Sequence, residues 1–295
     1  MKRRVMAIAS KVYDDSDRLN FALVAAGIGF FSMLSIFPAL ALVVMVWGWG
    51  ADPAQLASTV AAMDEFLPQD VQVILNDQLQ SLIAASQSQA LGWATLLTLG
   101  LSLWSAQAGV GAVVRGLNAV FRVPHKATWL GRMAQSFGLT LVIAALAIVV
   151  FLSVLIAPLV IALVPLGPVT EVLLQTARWL IGVGAVGLGF GILYRYGPNI
   201  PPPRLGWITP GTIFATGLWL VASIGLSVYV SRFANYNEVY GSLGAAVAIL
   251  MWFYLSAYAV LIGGAINAEL RRADVSRGVP PDATDAAGTP EAVRT

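Results

Sequence analysis

Charge is scarce in this chain: 11% of its 295 residues are Asp, Glu, Lys or Arg, while 58% are hydrophobic. A soluble domain carries about a quarter charged residues, so too few are present here to wet an aqueous surface. Cysteine is absent, which excludes disulfides, thiol catalysis and thiolate metal sites. Histidine occurs once, as His125 beside Lys126 in a basic loop, where a solvated side chain is the simple reading. One histidine without a His/Asp cluster cannot furnish the ligands of a metal-dependent nuclease, so no enzyme, no catalytic residue and no metal is expected. Without a Walker A motif, ATP-driven pumping by this chain alone is not expected either. No cofactor is implied, and a net charge of +2 gives no argument for nucleic acid.

What the chain has instead is long apolar runs. Six segments, 21–49, 91–114, 137–164, 179–197, 207–230 and 243–268, are long enough to cross a ~30 Å hydrocarbon core as helices. Backbone groups in lipid must be satisfied within each segment, which selects helix over open strand. Pro158 and Pro165 near the end of the third segment predict a tilt, a kink or an early stop. The expected fold is all-α: a polytopic integral membrane protein with six transmembrane helices in one domain, 21–268.

Lys and Arg set its orientation. Lys2, Arg3, Arg4, Lys11 and Arg18 precede the first span, and Arg115, Arg122, Lys126 and Arg132 follow the second. Arg195 and Arg204 follow the fourth, and Arg271, Arg272, Arg277 and Arg294 lie in or near the tail. Arg178 and Arg232 alone fall on the other side, so the positive-inside rule predicts N-in and C-in.

Residues 1–20 place Val5, Ile8 and Val12 on one face behind a basic cluster, which predicts a cytoplasmic amphipathic helix in the inner headgroup region. The apolar stretch from Val5 to Ser10 is too short for a signal-peptide core, and no cleavage is expected. Residues 51–90 hold five acids and no Lys or Arg. Asp52-Pro53 is a helix-start pair and Val71, Leu75, Leu79 and Leu82 recur at helical spacing, which predicts an exterior loop of two short amphipathic helices. Its acids either draw cations to the outer mouth or are simply solvated. The prolines of 198–203 predict a stiff connector, and the tail, 269–295, is expected to be cytoplasmic and largely disordered.

Within the spans, small residues at Ala108/Ala112/Gly116, Gly187/Gly191, Gly244/Ala248 and Gly263/Gly264 permit close helix packing. Trp47, Trp49, Trp93, Trp179 and Trp207 near span ends read as interfacial anchors. Polar side chains cost free energy in lipid unless partnered. Ser32, Ser35, Ser102, Ser105, Ser153 and Ser223 can bond back to their own helices, which leaves Gln107 as either helix-helix glue or a solute contact. Arg115, Asn118, Arg195, Asn267 and Glu269 cluster at cytoplasmic ends. Glu269 opposes its helix dipole and predicts a cationic partner, with Arg115 and Arg195 on the same side. It reads as a structural ion pair or as a gate or coupling carboxylate. Gly27-Ile-Gly29-Phe30 with Pro38, and Gly187-Leu-Gly189-Phe190 with Pro198, form an echo that two inverted three-helix halves would produce.

Several of these stretches resemble the YihY/virulence factor BrkB family of bacterial inner-membrane proteins. Phe30-Phe-Ser-Met-Leu-Ser-Ile-Phe-Pro38 is similar to the family's first helix, and Arg115-Gly-Leu-Asn118 after the second span also resembles the family. The fullest match runs from Pro198-Asn199 through Pro210-Gly211 and Tyr229-Val-Ser-Arg-Phe to Tyr240-Gly-Ser-Leu-Gly244 and Asn267-Ala-Glu-Leu270. Gly27 and Gly29 depart from the alanines that the family mostly carries there. The resemblance implies a multi-pass protein of the bacterial inner membrane, and members have been suggested to act as transporters. Some members carry the label ribonuclease BN, against which this sequence argues independently. The matched motif adds Tyr240 to Gln107, Glu269, Asn267, Arg115, Asn118 and Arg195 as candidates for substrate contact or coupling.

The expected function is therefore ion-coupled or facilitative movement of a small solute, ion or lipid-related substrate. The alternative is a non-transporting organiser that holds an envelope-assembly partner. The expected partners are the bilayer, anionic headgroups at the cytoplasmic face worth ~1 kcal/mol per basic residue, an unidentified solute and, in some assemblies, a second copy of the chain as a homo-oligomer.

Overall fold

The computed structural model describes residues 2–48, 91–124, 128–163, 168–200, 205–232 and 242–275. Residues 51–90, expected to form the exterior loop, and His125, Tyr240 and the tail from residue 276 lie outside the described residues. Among the described residues the chain forms seven helices: α1 Lys2–Arg18, α2 Phe21–Gly48, α3 Leu91–Phe121, α4 Trp129–Leu163, α5 Pro168–Tyr196, α6 Pro210–Arg232 and α7 Ser242–Val275.

Four stretches, Trp129–Val149, Val172–Tyr196, Pro210–Val230 and Ala246–Val275, are long and apolar enough to cross a membrane, and Met6–Arg18 with Phe21–Ser35 pass together as a pair bent by 65°. Only 11% of the span windows in α4 and α6 is buried by protein. Leu141 and Ile148 of α4, Leu173 and Leu180 of α5, and Ile213 and Val221 of α6 lie exposed. Water would not tolerate that much bare apolar surface, whereas lipid covers it without cost. The protein is a membrane protein.

Several helices outrun their apolar runs. α4 begins at Trp129 and continues through Pro158; α5 begins at Pro168; α7 continues through Glu269 to Val275. At 1.5 Å per residue, the 35 residues of α4 and 34 of α7 reach about 50 Å, well beyond a ~30 Å core. Their polar ends therefore exceed the length that a hydrocarbon core covers.

α7 is the central helix, packed against α6, α2, α3 and α1. Its Ala257, Val260, Leu261, Ala265 and Ala268 meet Phe21, Ala25 and Ile28 of α2 and Leu117 and Val120 of α3 in one buried cluster. Close approach is purchased with missing side chains: a Cβ on Gly263 would meet the Tyr194 hydroxyl, the Gly211 carbonyl oxygen and the Ala215 methyl. The Tyr194 hydroxyl donates to the Val260 carbonyl at 2.9 Å, which satisfies the phenol inside the bundle. The two halves of the Gly-X-Gly-Phe echo pack differently, Gly29 against the Tyr254 backbone and Gly189 against a Leu146 methyl.

Two non-glycine residues adopt positive φ, Asn20 at 50° and Arg122 at 55°, each just past a helix end. Asn tolerates this conformation well; Arg122 does so at some cost. Its N–H bonds to Ala119 and that of Val123 to Asn118, closing α3 with a left-handed cap. Arg122 thereby turns back toward α1.

Candidate functional site

Two polar sites stand out. The first is a cleft of about 300 Å³ between α3 and the first turns of α4. Gln107, Gly111, Arg115 and Asn118 recur at helical spacing along one face of α3, and Arg132, Gln135 and Ser136 face them from α4. Trp104 and Trp129 flank it, one from each helix, with ring centres 6.4 Å apart. Arg115 is exposed and lies over the Phe31 ring at 6.0 Å.

Neighbouring contacts hold the cleft in shape. Asn118 is buried and its Oδ1 accepts the Asn199 amide at 2.8 Å, tying α3 to the segment after α5. Gln135 Nε2 donates to the Tyr196 and Gly197 carbonyls, both at 2.6 Å, and so caps α5. Across α2 and α3, the Ser35 hydroxyl takes the Gly109 N–H at 3.1 Å and lies 2.9 Å from the Ser105 carbonyl, inserting a side chain into the α3 ladder.

The second site is a cluster of charges where α1, the end of α3 and the end of α7 meet, around a cavity of about 620 Å³. Asp15, on α1, is only 4% exposed and binds Arg122 at 2.7 Å, Arg272 at 3.2 Å and Arg18 at 3.3 Å. Burial pushes its carboxyl up, but the hydrogen bonds and charges of Arg122 and Arg272 outweigh that and hold it below the ordinary 3.8. Glu269, 5% exposed, pairs with Arg272 and with Lys11 at 3.6 Å. Arg272 also donates to the Val120 carbonyl at 2.8 Å, satisfying an orphan acceptor at the end of α3.

The expected partnership of Glu269 with Arg115 or Arg195 is therefore corrected to Arg272, one turn along the same helix, and Lys11 of α1. Arg115 faces the cleft. Arg195 donates to the Leu205 carbonyl at 2.5 Å and sits over Trp207 at 5.2 Å and Tyr196 at 5.7 Å, pinning the connector. Asn267 is buried beside α6, where its Oδ1 accepts the Gly211 N–H at 3.0 Å. With Thr209 as N-cap, accepting the Thr212 N–H, and Pro210 at the first helical position, Asn267 completes the start of α6.

Of the sequence candidates, the fold thus brings Gln107, Arg115 and Asn118 together, sends Glu269 to the charge cluster, and gives Asn267 and Arg195 structural links. Among the described residues no three of His, Cys, Asp and Glu are grouped as metal ligands. Sequence reasoning missed Asp15, Gly111 and the α4 side of the cleft. The signal for Asp15 was its place on the Val12 face of α1, an acid among apolar residues.

Comparison with known proteins places the chain among membrane proteins. The family model described as Virulence factor BrkB matches residues 12–287. The chain belongs to the virulence factor BrkB family. A ribonuclease-like protein of Bacillus subtilis, YfkH, is 28% identical over 256 residues, covering 84% of this chain and 89% of that protein. A UPF0761 membrane protein of Pseudoalteromonas translucida is 26% identical over 273 residues, covering 89% and 84%. Another, of Aeromonas salmonicida, is 25% identical over 264 residues. No solved structure matches.

Proposed function

We propose that this BrkB-family protein is an inner-membrane transporter that moves a small solute, ion or lipid-related substrate across a six-span bundle with both termini in the cytoplasm. The observation that carries this reading is the α3/α4 cleft. A protein that only anchors partners gains nothing from Gln107, Arg115, Asn118 and Ser136 converging on open space inside an apolar bundle, since each polar group costs free energy there unless it meets water or a ligand. The bias of Lys and Arg toward the N-terminal region, the second and fourth gaps and the tail supports the orientation. Movement is ion-coupled or facilitative, with Glu269 as the coupling or gating carboxylate beneath α1.

Flux in proteoliposomes tests this, screening several osmolytes and organic ions under Na⁺ and H⁺ gradients. Gln107→Leu is expected to reduce flux at least tenfold with normal insertion. Glu269→Gln is expected to abolish gradient-driven accumulation while Arg272 keeps its bonds to Asp15 and Val120. No flux for any solute in the unaltered protein would sink the transporter reading in favour of a membrane organiser.

A further inference from the structure

We infer that the α3/α4 cleft binds a small neutral polyhydroxylated solute, a polyol or a monosaccharide; this names the substrate class of the solute path proposed above and rests on that reading. Two amides in the cleft lining have their senses set by the fold. Asn118, only 2% exposed, commits its Oδ1 to the Asn199 N–H at 2.8 Å, which leaves its NH₂ to meet a ligand. Gln135 is fixed the opposite way: its Nε2 donates to the Tyr196 and Gly197 carbonyls, both at 2.6 Å, which leaves its Oε1. An amide NH₂ can only donate and an amide oxygen can only accept. One cleft therefore offers a fixed donor and a fixed acceptor.

Gln107 and Ser136 line the same cleft, and an amide and a hydroxyl can each both donate and accept. Ser136 is 7% exposed, so its hydroxyl has little beyond the cleft to meet. A ligand that satisfies this set must itself donate and accept at several points. Hydroxyl groups do so, whereas phosphate and carboxylate oxygens only accept and an ammonium only donates. Arg115 and Arg132 also line the cleft, but both are exposed, so solvent screens their charge and an ion gains little from it. Trp104 and Trp129 flank the cleft with ring centres 6.4 Å apart and planes at 39°. Such rings pair an apolar face with a polar N–H, which suits the mixed C–H and O–H surface of a polyol. A volume of about 300 Å³ is at the small end for ligand sites and fits one sugar ring or a short linear polyol.

The test is calorimetric binding of sorbitol and glucose to the full-length protein in a detergent without a sugar headgroup, with inorganic phosphate and tetramethylammonium as charged probes. Sorbitol or glucose is expected to bind at least tenfold tighter than either ion. Ser136→Ala is expected to weaken that binding about tenfold, the loss of one hydrogen bond. Thermal stability should not fall in this variant, because it removes a single oxygen and alanine favours the helix. Gln107→Leu is expected to weaken binding at least tenfold, since a site built for hydroxyls is left with an apolar wall. A purely structural role for these two residues would move stability rather than affinity. Failure of both sorbitol and glucose to bind, an ion that binds as tightly as they do, or unchanged affinity in both variants would overturn the proposal. Polyol binding without flux would leave this site standing and remove the transporter reading; flux of another solute without polyol binding would overturn this inference alone.

Discussion

Replacing Gly263 with alanine is expected to unseat the central helix. The new methyl would collide with the Tyr194 hydroxyl and the Gly211 carbonyl oxygen and lie 2.7 Å from the Ala215 Cβ. Two of these neighbours belong to α6, and Tyr194 is the most deeply buried large side chain of α5. Backbone cannot yield as a flexible side-chain tip can, so α6 and α7 must separate. Overpacking costs about 1–3 kcal/mol where neighbours can adjust, and this site, rigid on three sides, belongs at or above the upper end. Separation would also cost the Asn267 bond to Gly211, leaving buried polar groups unpaired. Thermal unfolding of the purified protein, followed with size-exclusion chromatography, measures the effect. Gly217→Ala and Gly225→Ala, where nothing lies within 4 Å of the added Cβ, are the controls and are expected to be neutral or to stabilise by up to about 1 kcal/mol. Equal behaviour of Gly263→Ala and these controls would refute the close-packed account of α6 and α7.

Asp15→Asn is expected to release α1. The carboxylate meets three arginines, and losing one partner from a buried ionic site costs about 3–5 kcal/mol. Arg18, Arg122 and Arg272 keep side-chain exposures of 57%, 48% and 29%, so solvent compensates in part, and about 2 kcal/mol is the expected loss. That corresponds to about thirtyfold in the docking equilibrium. The chain has no cysteine, so Met6→Cys, at an exposed position of α1, gives a single labelling site. The label's mobility should rise in the Asp15→Asn background.

Acid should act in the same direction. The folded carboxyl titrates below its ordinary 3.8, so its stabilisation is complete above that value and is lost as pH falls through the lower folded value. Label mobility should therefore climb below about pH 3.8 in the unaltered sequence. Asp15→Asn should lack that step. A docked α1 in Asp15→Asn at neutral pH would mean that apolar contacts through Val12 and Leu19 hold it alone.

Among the described residues each of the six apolar runs falls mostly within a helix, because a run of about 20 apolar residues has few other fates in lipid, while four stretches, or five with the bent pair, are long and apolar enough to span. Their ends were less legible. Hydropathy marks where lipid stops, yet α4, α5 and α7 continue into polar sequence, as Arg132, Gln135 and Arg272 show. Half of the cleft could be read from sequence, since Gln107, Arg115 and Asn118 repeat along one helical face. The other half depends on which helix lies opposite, a long-range pairing that local periodicity does not encode. Glu269 was recognised as needing a cation, but its partners were sought on other spans. The nearest answer was three residues away, with the second on a helix outside the apolar runs.

Arg115 and Arg122 sit seven residues apart on α3 and its cap, about 10 Å along the axis. One faces the cleft; the other grips α1 through Asp15. Between them Asn118 is tied to Asn199, and Val120 to Arg272. A helix this short between two fixed points behaves as a ruler rather than a spring. The seat of the N-terminal helix and the α3 wall of the cleft are thus held a fixed distance apart by one stretch of helix.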